Sequence, residues 1–156
     1  MARRSSSAPP WLLPLVGLAA LAWTLNSWLP PTATLSPAAI DRQELLRGTW
    51  LREYSERGVR VRRVLELEGG GAFRESVRIA EPEGRVTRME HEGTWLYDGT
   101  NLKRKYTRMN GEPPSRLKVP FATFEVDFQG RNDFVGVDHV HGVRVEYRRV
   151  PEHTEP

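Results

Sequence analysis

The residues with the clearest potential for metal chemistry are two histidines beside an aspartate. Asp138 and His139 are adjacent, and His141 follows two positions on, a spacing that places both histidines on one face of a strand. The next residue is a glycine, which indicates a turn. No third residue lies at a spacing that would make it a ligand of the same metal. His91 and His153 stand alone in the sequence. We therefore predict turn-exposed histidines and no metal site.

Motifs for nucleophilic catalysis and phosphate binding do not occur in the sequence. It contains no cysteine, which excludes a thiol nucleophile, a disulfide scaffold and a cysteine-ligated metal. No Gly-x-Ser-x-Gly, P-loop or Gly-x-Gly-x-x-Gly pattern is present. The glycine run Gly69–Gly71 precedes a strand-like segment rather than a helix, so it predicts a hairpin turn. We expect a non-catalytic protein without a cofactor.

Basic clusters are the remaining candidates for chemistry, because the formal net charge of the 156 residues is +3. The clusters are Arg57–Arg63 and Lys103–Lys105, and glutamates flank the first of them. Arg3 and Arg4 supply two of the three excess charges, so the rest of the chain is nearly balanced. We interpret the clusters as mixed, solvated strand faces and predict no nucleic-acid partner.

From Gly48 onward, apolar and charged residues alternate with the period of two that is typical of half-buried strands. Phe124, Val126 and Phe128, for example, alternate with Glu125 and Asp127. Turn residues separate eight such segments, which are 49–55, 59–68, 72–80, 85–97, 101–109, 117–129, 132–138 and 142–150. Short turns between consecutive strands require these strands to run antiparallel. Closure of the sheet into a barrel removes its exposed strand edges. We predict an all-β, eight-stranded antiparallel up-and-down barrel, with a two-sheet sandwich as the alternative.

The same alternation places several polar residues inside the predicted barrel. These inward residues are Arg52, Arg63, Glu75, His91 and Arg104. Arg63 and Glu75 fall diagonally across the second hairpin, where they can pair. Two interpretations stay open: a satisfied buried pair or a residue at the open mouth of the barrel, or else a basic interior that selects the anionic head group of a ligand.

Four short motifs resemble those of bacterial lipocalin-like domains. They are Leu46–Trp50 at the first strand, the glycine-rich turn before Phe73, Gly93–Trp95 at mid-chain and Tyr147–Val150 at the last strand. Gly48-Thr49-Trp50-Leu51 recurs 45 residues later, beginning at Gly93. The resemblance covers about two-thirds of the chain. It implies a barrel that either holds an apolar ligand or is filled by its own side chains.

The resemblance also implies how one end of the barrel is closed. In lipocalins the tryptophan of Gly-x-Trp lies at the closed end and packs against an arginine of the last strand. Arg149 has the inward parity of its strand, so we expect it to stack on Trp50 by a cation–π contact. Arg148 is expected to point outward.

A long uncharged segment, Trp11–Leu29, precedes the barrel and has the length of a membrane-spanning helix. Arg3 and Arg4 place its N-terminal side in the cytoplasm by the positive-inside rule. We predict an uncleaved signal anchor in a bacterial inner membrane, with the barrel in the periplasm. A cleaved signal peptide with Ala20-Leu21-Ala22 as the cleavage site is the alternative.

The predicted organisation follows from these segments. It comprises a cytoplasmic N-terminus (1–10), the transmembrane anchor (11–29), a linker with a short helix over 37–47 (30–47), the barrel (48–150) and a tail (151–156). We expect a ligand-binding module for a small apolar or amphipathic molecule. Its candidate lining residues are Tyr54, Trp95, Tyr97, Arg104, Tyr106, Phe124 and Tyr147. The alternative is an accessory or assembly subunit that docks a filled barrel on a larger membrane complex.

Overall fold

The alternating segments form eight antiparallel strands that close into one barrel. The computed structural model describes residues 37–115, 120–139 and 141–156. A helix comes first, and the elements are α1 (Pro37–Leu46), β1 (Gly48–Glu56), β2 (Val59–Leu67), β3 (Ala72–Ala80), β4 (Val86–Tyr97), β5 (Asn101–Met109), β6 (Phe121–Phe128), β7 (Asp133–Asp138) and β8 (Val143–Val150). Each strand pairs with its neighbours in chain order, and β8 pairs with β1. The predicted up-and-down barrel is confirmed, and the two-sheet sandwich is excluded.

The predicted anchor over 11–29 lies outside the described residues. Within the described part of the chain, no helix is long and apolar enough to cross a membrane. The short helix begins at Pro37, the residue predicted for its first position, and ends at Leu46, one residue before the predicted end. The sixth strand begins at Phe121, whereas we predicted a strand from 117, and residues 116–119 are outside the described part.

Inward side chains form the core because every second residue of each strand faces the barrel axis. The largest fully buried side chains include Trp50, Phe73, Tyr97 and Phe134. Consecutive antiparallel strands divide the turns between two ends of the barrel. We call the end that carries α1 and the β2–β3, β4–β5 and β6–β7 turns the closed end, and the opposite end the far end.

A β-bulge interrupts the alternation of β5, and the sequence pattern did not predict it. Glu92 pairs with Arg108 while Gly93 pairs with Tyr106, so Thr107 is an extra residue on β5. The shift brings Met109 opposite His91. Sequence alternation alone would therefore assign the end of β5 to the wrong face.

Gly93 permits the close approach of β4 and β5 at this bulge. A Cβ atom at Gly93 would overlap the carbonyl oxygen of Lys105 and come within 2.8 Å of the Phe73 ring. Because the first obstacle is backbone, the clash cannot be relieved by rotating a side chain. The glycine is therefore required by the geometry of the barrel wall.

We predict that Gly93→Ala lowers the free energy of unfolding by at least about 2 kcal/mol, since it overpacks a rigid wall. Gly70→Ala is the matched control, because a Cβ atom there has no neighbour within 4 Å. Chemical denaturation of both variants measures the difference. Equal stability of Gly93→Ala and Gly70→Ala would contradict the prediction.

Candidate functional site

The closed end is sealed by hydrogen bonds between the barrel and the last turn of α1. The indole Nε1 of Trp50 donates to the carbonyl of Leu46 at 2.7 Å. The Arg149 guanidinium lies 4.3 Å from the centre of the Trp50 ring. It also donates to the carbonyls of Leu45 and Arg47 at 2.6 and 2.7 Å. A cation thus satisfies the carbonyls that a helix C-terminus leaves unpaired.

The backbone at Gly48 makes room for this arginine. Gly48 has φ +117°, and a Cβ atom there would lie 2.5 Å from Nη1 of Arg149. Arg148, the neighbouring residue, points outward and donates to Glu53 at 3.0 Å. The structure therefore brings Trp50 and Arg149 together in the geometry that the resemblance implied.

A buried carboxylate lies near the middle of the barrel. Glu75 on β3 is only 1% exposed. Its Oε1 accepts a hydrogen bond from Arg104 on β5 at 3.0 Å. Its Oε2 accepts one from Arg63 on β2 at 3.3 Å and one from Nδ1 of His91 on β4 at 3.0 Å. We call these four residues the Glu75 cluster.

The charges of the Glu75 cluster hold the carboxylate ionised. Burial would raise the pKa of Glu75, but Arg104, His91 and Arg63 together lower it well below its ordinary value. Burial alone would lower the pKa of Arg104. The attraction of the Glu75 carboxylate is stronger than this effect of burial, so the pKa of Arg104 is raised. The cluster is consequently a buried ion network with two guanidiniums and one carboxylate.

Aromatic rings surround the guanidinium of Arg104. The rings of Phe73, Tyr106 and Phe124 have their centres 5.5, 5.6 and 5.4 Å from its central carbon. Burial raises the pKa of Tyr106 to about 12. The ring faces stabilise a cation that has little access to water.

The predicted lining residues fall into two groups by their contacts. Tyr106 and Phe124 contact Arg104, and Tyr54 lies beneath the guanidinium of Arg52 at 4.4 Å. The other three belong to the core cluster and are buried. They are Trp95, whose Nε1 donates to Glu68, Tyr97, whose hydroxyl donates to Gly99, and Tyr147, which stacks on Phe134 with ring centres 5.0 Å apart.

A pocket at the far end leads to the Glu75 cluster. It has a volume of about 330 Å³, and its lining is mixed: Met89, Met109, Pro113 and Pro114 are apolar, whereas Asn110, Glu112 and Ser115 are polar. His91 also lines it, and Nδ1 of this histidine donates to Glu75. We call it the mouth pocket. The sequence analysis missed it, because the bulge in β5 and the loop after it set its shape.

The histidines of the β7–β8 turn contact separate carboxylates. His139 lies 2.6 Å from Glu125, and His141 lies 2.7 Å from Asp138. Across residues 37–115, 120–139 and 141–156, no group of three or more His, Cys, Asp or Glu residues could hold a metal ion. The geometry therefore gives these histidines no common ligand.

We predict that Arg149→Met lowers the free energy of unfolding by about 2–4 kcal/mol, because charged hydrogen bonds to two carbonyls are lost. Arg148→Met is the matched control on the adjacent, exposed position, where an ion pair contributes about 0–1 kcal/mol. Urea denaturation of the full chain measures both values. A loss for Arg149→Met no larger than that for Arg148→Met would refute the sealing role.

We predict that Glu75→Gln lowers the free energy of unfolding at pH 7 by about 3–5 kcal/mol, since it leaves Arg104 buried without its carboxylate. The folded-state pKa of Glu75 lies below its ordinary value of 4.5. Its contribution is therefore complete above pH 4.5 and decreases as the pH falls towards the folded-state pKa.

The stability gap between wild type and Glu75→Gln should accordingly narrow when the pH is lowered from about 7 to about 3. Glu92→Gln, at an exposed position next to His91, should change stability by no more than about 0.5 kcal/mol at either pH. Denaturation curves at both pH values measure these differences. A gap that stays constant with pH would contradict the ionised network.

No family model matches this chain, and no curated protein has a matching sequence. The structure itself shows an eight-stranded antiparallel closed β-barrel, an architecture compatible with a lipocalin-like fold.

Proposed function

We propose that the barrel is a non-catalytic binding module for one small amphipathic molecule, whose anionic group lies against the Glu75 cluster. The observation that carries the proposal is the surplus of buried donors. Nε of Arg63 and Nε of Arg104 are buried and have no hydrogen-bond acceptor among the described residues. Buried polar groups are rarely left unsatisfied, so an anionic oxygen is the natural acceptor for this cluster.

The charge balance of the cluster supports the same proposal. Two arginines, Arg63 and Arg104, face a single carboxylate, that of Glu75. His91, which contacts Glu75 through Nδ1, also lines the mouth pocket. A carboxylate, sulfonate or phosphate can therefore add a negative charge where the interior is positive.

The shape of the barrel supports an amphipathic rather than a purely polar molecule. Eight-stranded barrels have interiors wide enough for packed side chains or for one small ligand. Two methionines and two prolines give the mouth pocket an apolar side, and aromatic rings surround Arg104. The apolar part of the ligand would lie along Met89, Met109 and the two prolines of the loop.

The proposal includes membership of the lipocalin-like group and attachment to the membrane. The contact of Arg149 with Trp50 beside Gly48 supports the first. The uncharged segment Trp11–Leu29 after Arg3 and Arg4 supports a single-pass anchor in a bacterial inner membrane with the barrel in the periplasm.

A second candidate function is that of an accessory subunit with a filled barrel. It is supported by aromatic packing at the closed end, where Phe134 contacts Trp50, Phe128 and Tyr147 with ring centres 4.7 to 6.2 Å apart. Such a barrel would act through its outer surface on a larger membrane complex.

We expect one decanoate molecule to remain bound to the full chain in native mass spectrometry, whereas decanol, which lacks the charge, is retained at least tenfold less. Arg63→Met should reduce decanoate occupancy at least about tenfold, because one anion-binding guanidinium is lost. The matched control is Arg88→Met, an exposed arginine on β4. It should leave the occupancy within about twofold.

Equal occupancy in wild type, Arg63→Met and Arg88→Met would overturn the proposed site. Equal retention of decanol and decanoate would overturn the role of the arginines. If neither amphiphile is retained, the filled barrel is favoured, and purification of the chain from membranes with a stoichiometric partner then tests that second candidate.

A further inference from the structure

We infer that the mouth pocket binds one Cu(I) ion through the thioether sulfurs of Met89 and Met109 and the Nε2 atom of His91. All three residues line this pocket. We call them the Met–His set. Such a metal site goes beyond the proposed anionic ligand and does not rest on it, because its binding atoms belong to neither Arg63 nor Arg104.

The register of β4 and β5 brings the Met–His set together. Met89 and His91 are two positions apart on β4 and therefore share a face of the strand. His91 is the cross-strand partner of Met109 on β5. The Cβ atoms of directly opposite residues lie about 4.5–5.5 Å apart. Methionine side chains are unbranched and flexible, so both sulfurs can reach an ion beside the imidazole.

The β-bulge at Thr107 turns Met109 towards the pocket. Arg104 and Tyr106 face the interior of the barrel, so regular alternation would place Arg108 inward next. The extra residue moves Arg108 to the exposed side and leaves Met109 half-buried opposite His91. Bulges commonly redirect a side chain next to functional sites, although they interrupt the hydrogen-bond ladder. The irregularity in this strand pair thus supplies the second thioether.

The imidazole of His91 is held as metal-binding histidines commonly are. Its Nδ1 lies 3.0 Å from Oε2 of Glu75, and the ring of Tyr106 meets it edge-on with ring centres 5.6 Å apart. A carboxylate on one ring nitrogen fixes the orientation and the tautomer of a ligating histidine. In the neutral imidazole, a proton on Nδ1 leaves the lone pair of Nε2 for a metal ion.

The sulfur of the chain is collected beside this histidine. The sequence contains three methionines and no cysteine, and Met1 is the first residue. Both internal methionines line the mouth pocket. Thioether sulfur is a soft ligand that selects Cu(I), and imidazole binds copper as well. The chemical types of the three ligands therefore favour Cu(I).

The charges around the pocket disfavour a divalent ion. Among the described residues that line the pocket, Glu112 is the single carboxylate. Hard divalent cations require several oxygen ligands, and zinc sites commonly use three or four nitrogen, oxygen or thiolate ligands. The guanidinium of Arg63 lies 3.3 Å from the oxygen of Glu75 that His91 contacts. It repels a divalent ion more strongly than a monovalent one.

Anaerobic titration of the full chain with Cu(I), in competition with a coloured Cu(I) chelator, tests the inference. We expect the wild type to bind one ion per chain. Met89→Leu and Met109→Leu should each weaken binding at least about tenfold, because leucine keeps the volume and the apolar character but has no sulfur. Zn(II) should bind at least about tenfold more weakly than Cu(I) to the wild type.

Two histidine variants form a matched pair. His91→Gln should weaken Cu(I) binding at least about tenfold, because the nitrogen ligand is lost. His139→Gln removes a histidine that also contacts a carboxylate but is exposed in the β7–β8 turn. It should leave the affinity within about twofold. A loss for His139→Gln equal to that for His91→Gln would overturn the inference.

X-ray absorption at the copper edge tests the ligands without any substitution. We expect two sulfur atoms and one nitrogen around Cu(I) in the wild type, and one sulfur fewer in Met109→Leu. Methionines that only fill space would give a copper environment without sulfur, which would overturn the inference. Equal affinity of the wild type and both leucine variants, or a preference for Zn(II), would also overturn it.

Decanoate separates this site from the proposed ligand site. Met89→Leu should leave decanoate occupancy within about twofold, because the wall of the pocket stays apolar. A wild type that retains decanoate but binds no Cu(I) would overturn the metal site and leave the proposed function intact. Binding of Cu(I) without retention of decanoate would support the metal site and count against the proposed function.

Discussion

The barrel is organised around the ionised carboxylate of Glu75. Its partners come from three other strands, Arg63 from β2, His91 from β4 and Arg104 from β5, so one side chain connects four consecutive strands. The net free energy that a buried ion network adds to stability is small. Its main effect is that any arrangement of the chain that leaves one of the charges unpaired costs free energy. The registers of the β2–β3, β3–β4 and β4–β5 pairs bring these partners to the carboxylate.

Buried polar groups occur at the closed end and in the middle of the barrel. At the closed end, Trp50 and Arg149 donate to the carbonyls of Leu45, Leu46 and Arg47. In the middle, Nε of Arg63 and Nε of Arg104 are buried without an acceptor in the described residues, and the same is true of Nε of Arg47 beside the seal. The seal therefore uses its donors on the backbone of the chain, whereas the two central arginines keep donors that the proposed anionic group would occupy.

The sequence was most informative where one local rule decides the outcome. Alternation predicted eight strands, and parity predicted that Arg63 and Glu75 could pair and that Arg148 and Arg149 face opposite sides. It did not predict that Arg104 and His91 join the same carboxylate, because that requires the registers of two further strand pairs. The bulge at Thr107 depends on how closely the backbone approaches Gly93, which no side-chain pattern encodes. Parity also does not distinguish packed core residues from residues beside the ion network, so it grouped Tyr97 and Tyr147 with Tyr106 and Phe124.

The seal between α1 and Arg149 has a consequence for the order in which the chain acquires structure. Arg149 is separated from Leu45 by 104 positions and from Arg47 by 102. A chain made from its N-terminus presents these carbonyls and the Trp50 indole long before the last strand appears. Hairpins between neighbouring strands can form early, because their contacts are local. The floor of the barrel, in contrast, is completed only when the final strand emerges, which leaves the first strand without its second neighbour throughout synthesis and dependent on whatever else can cover its edge.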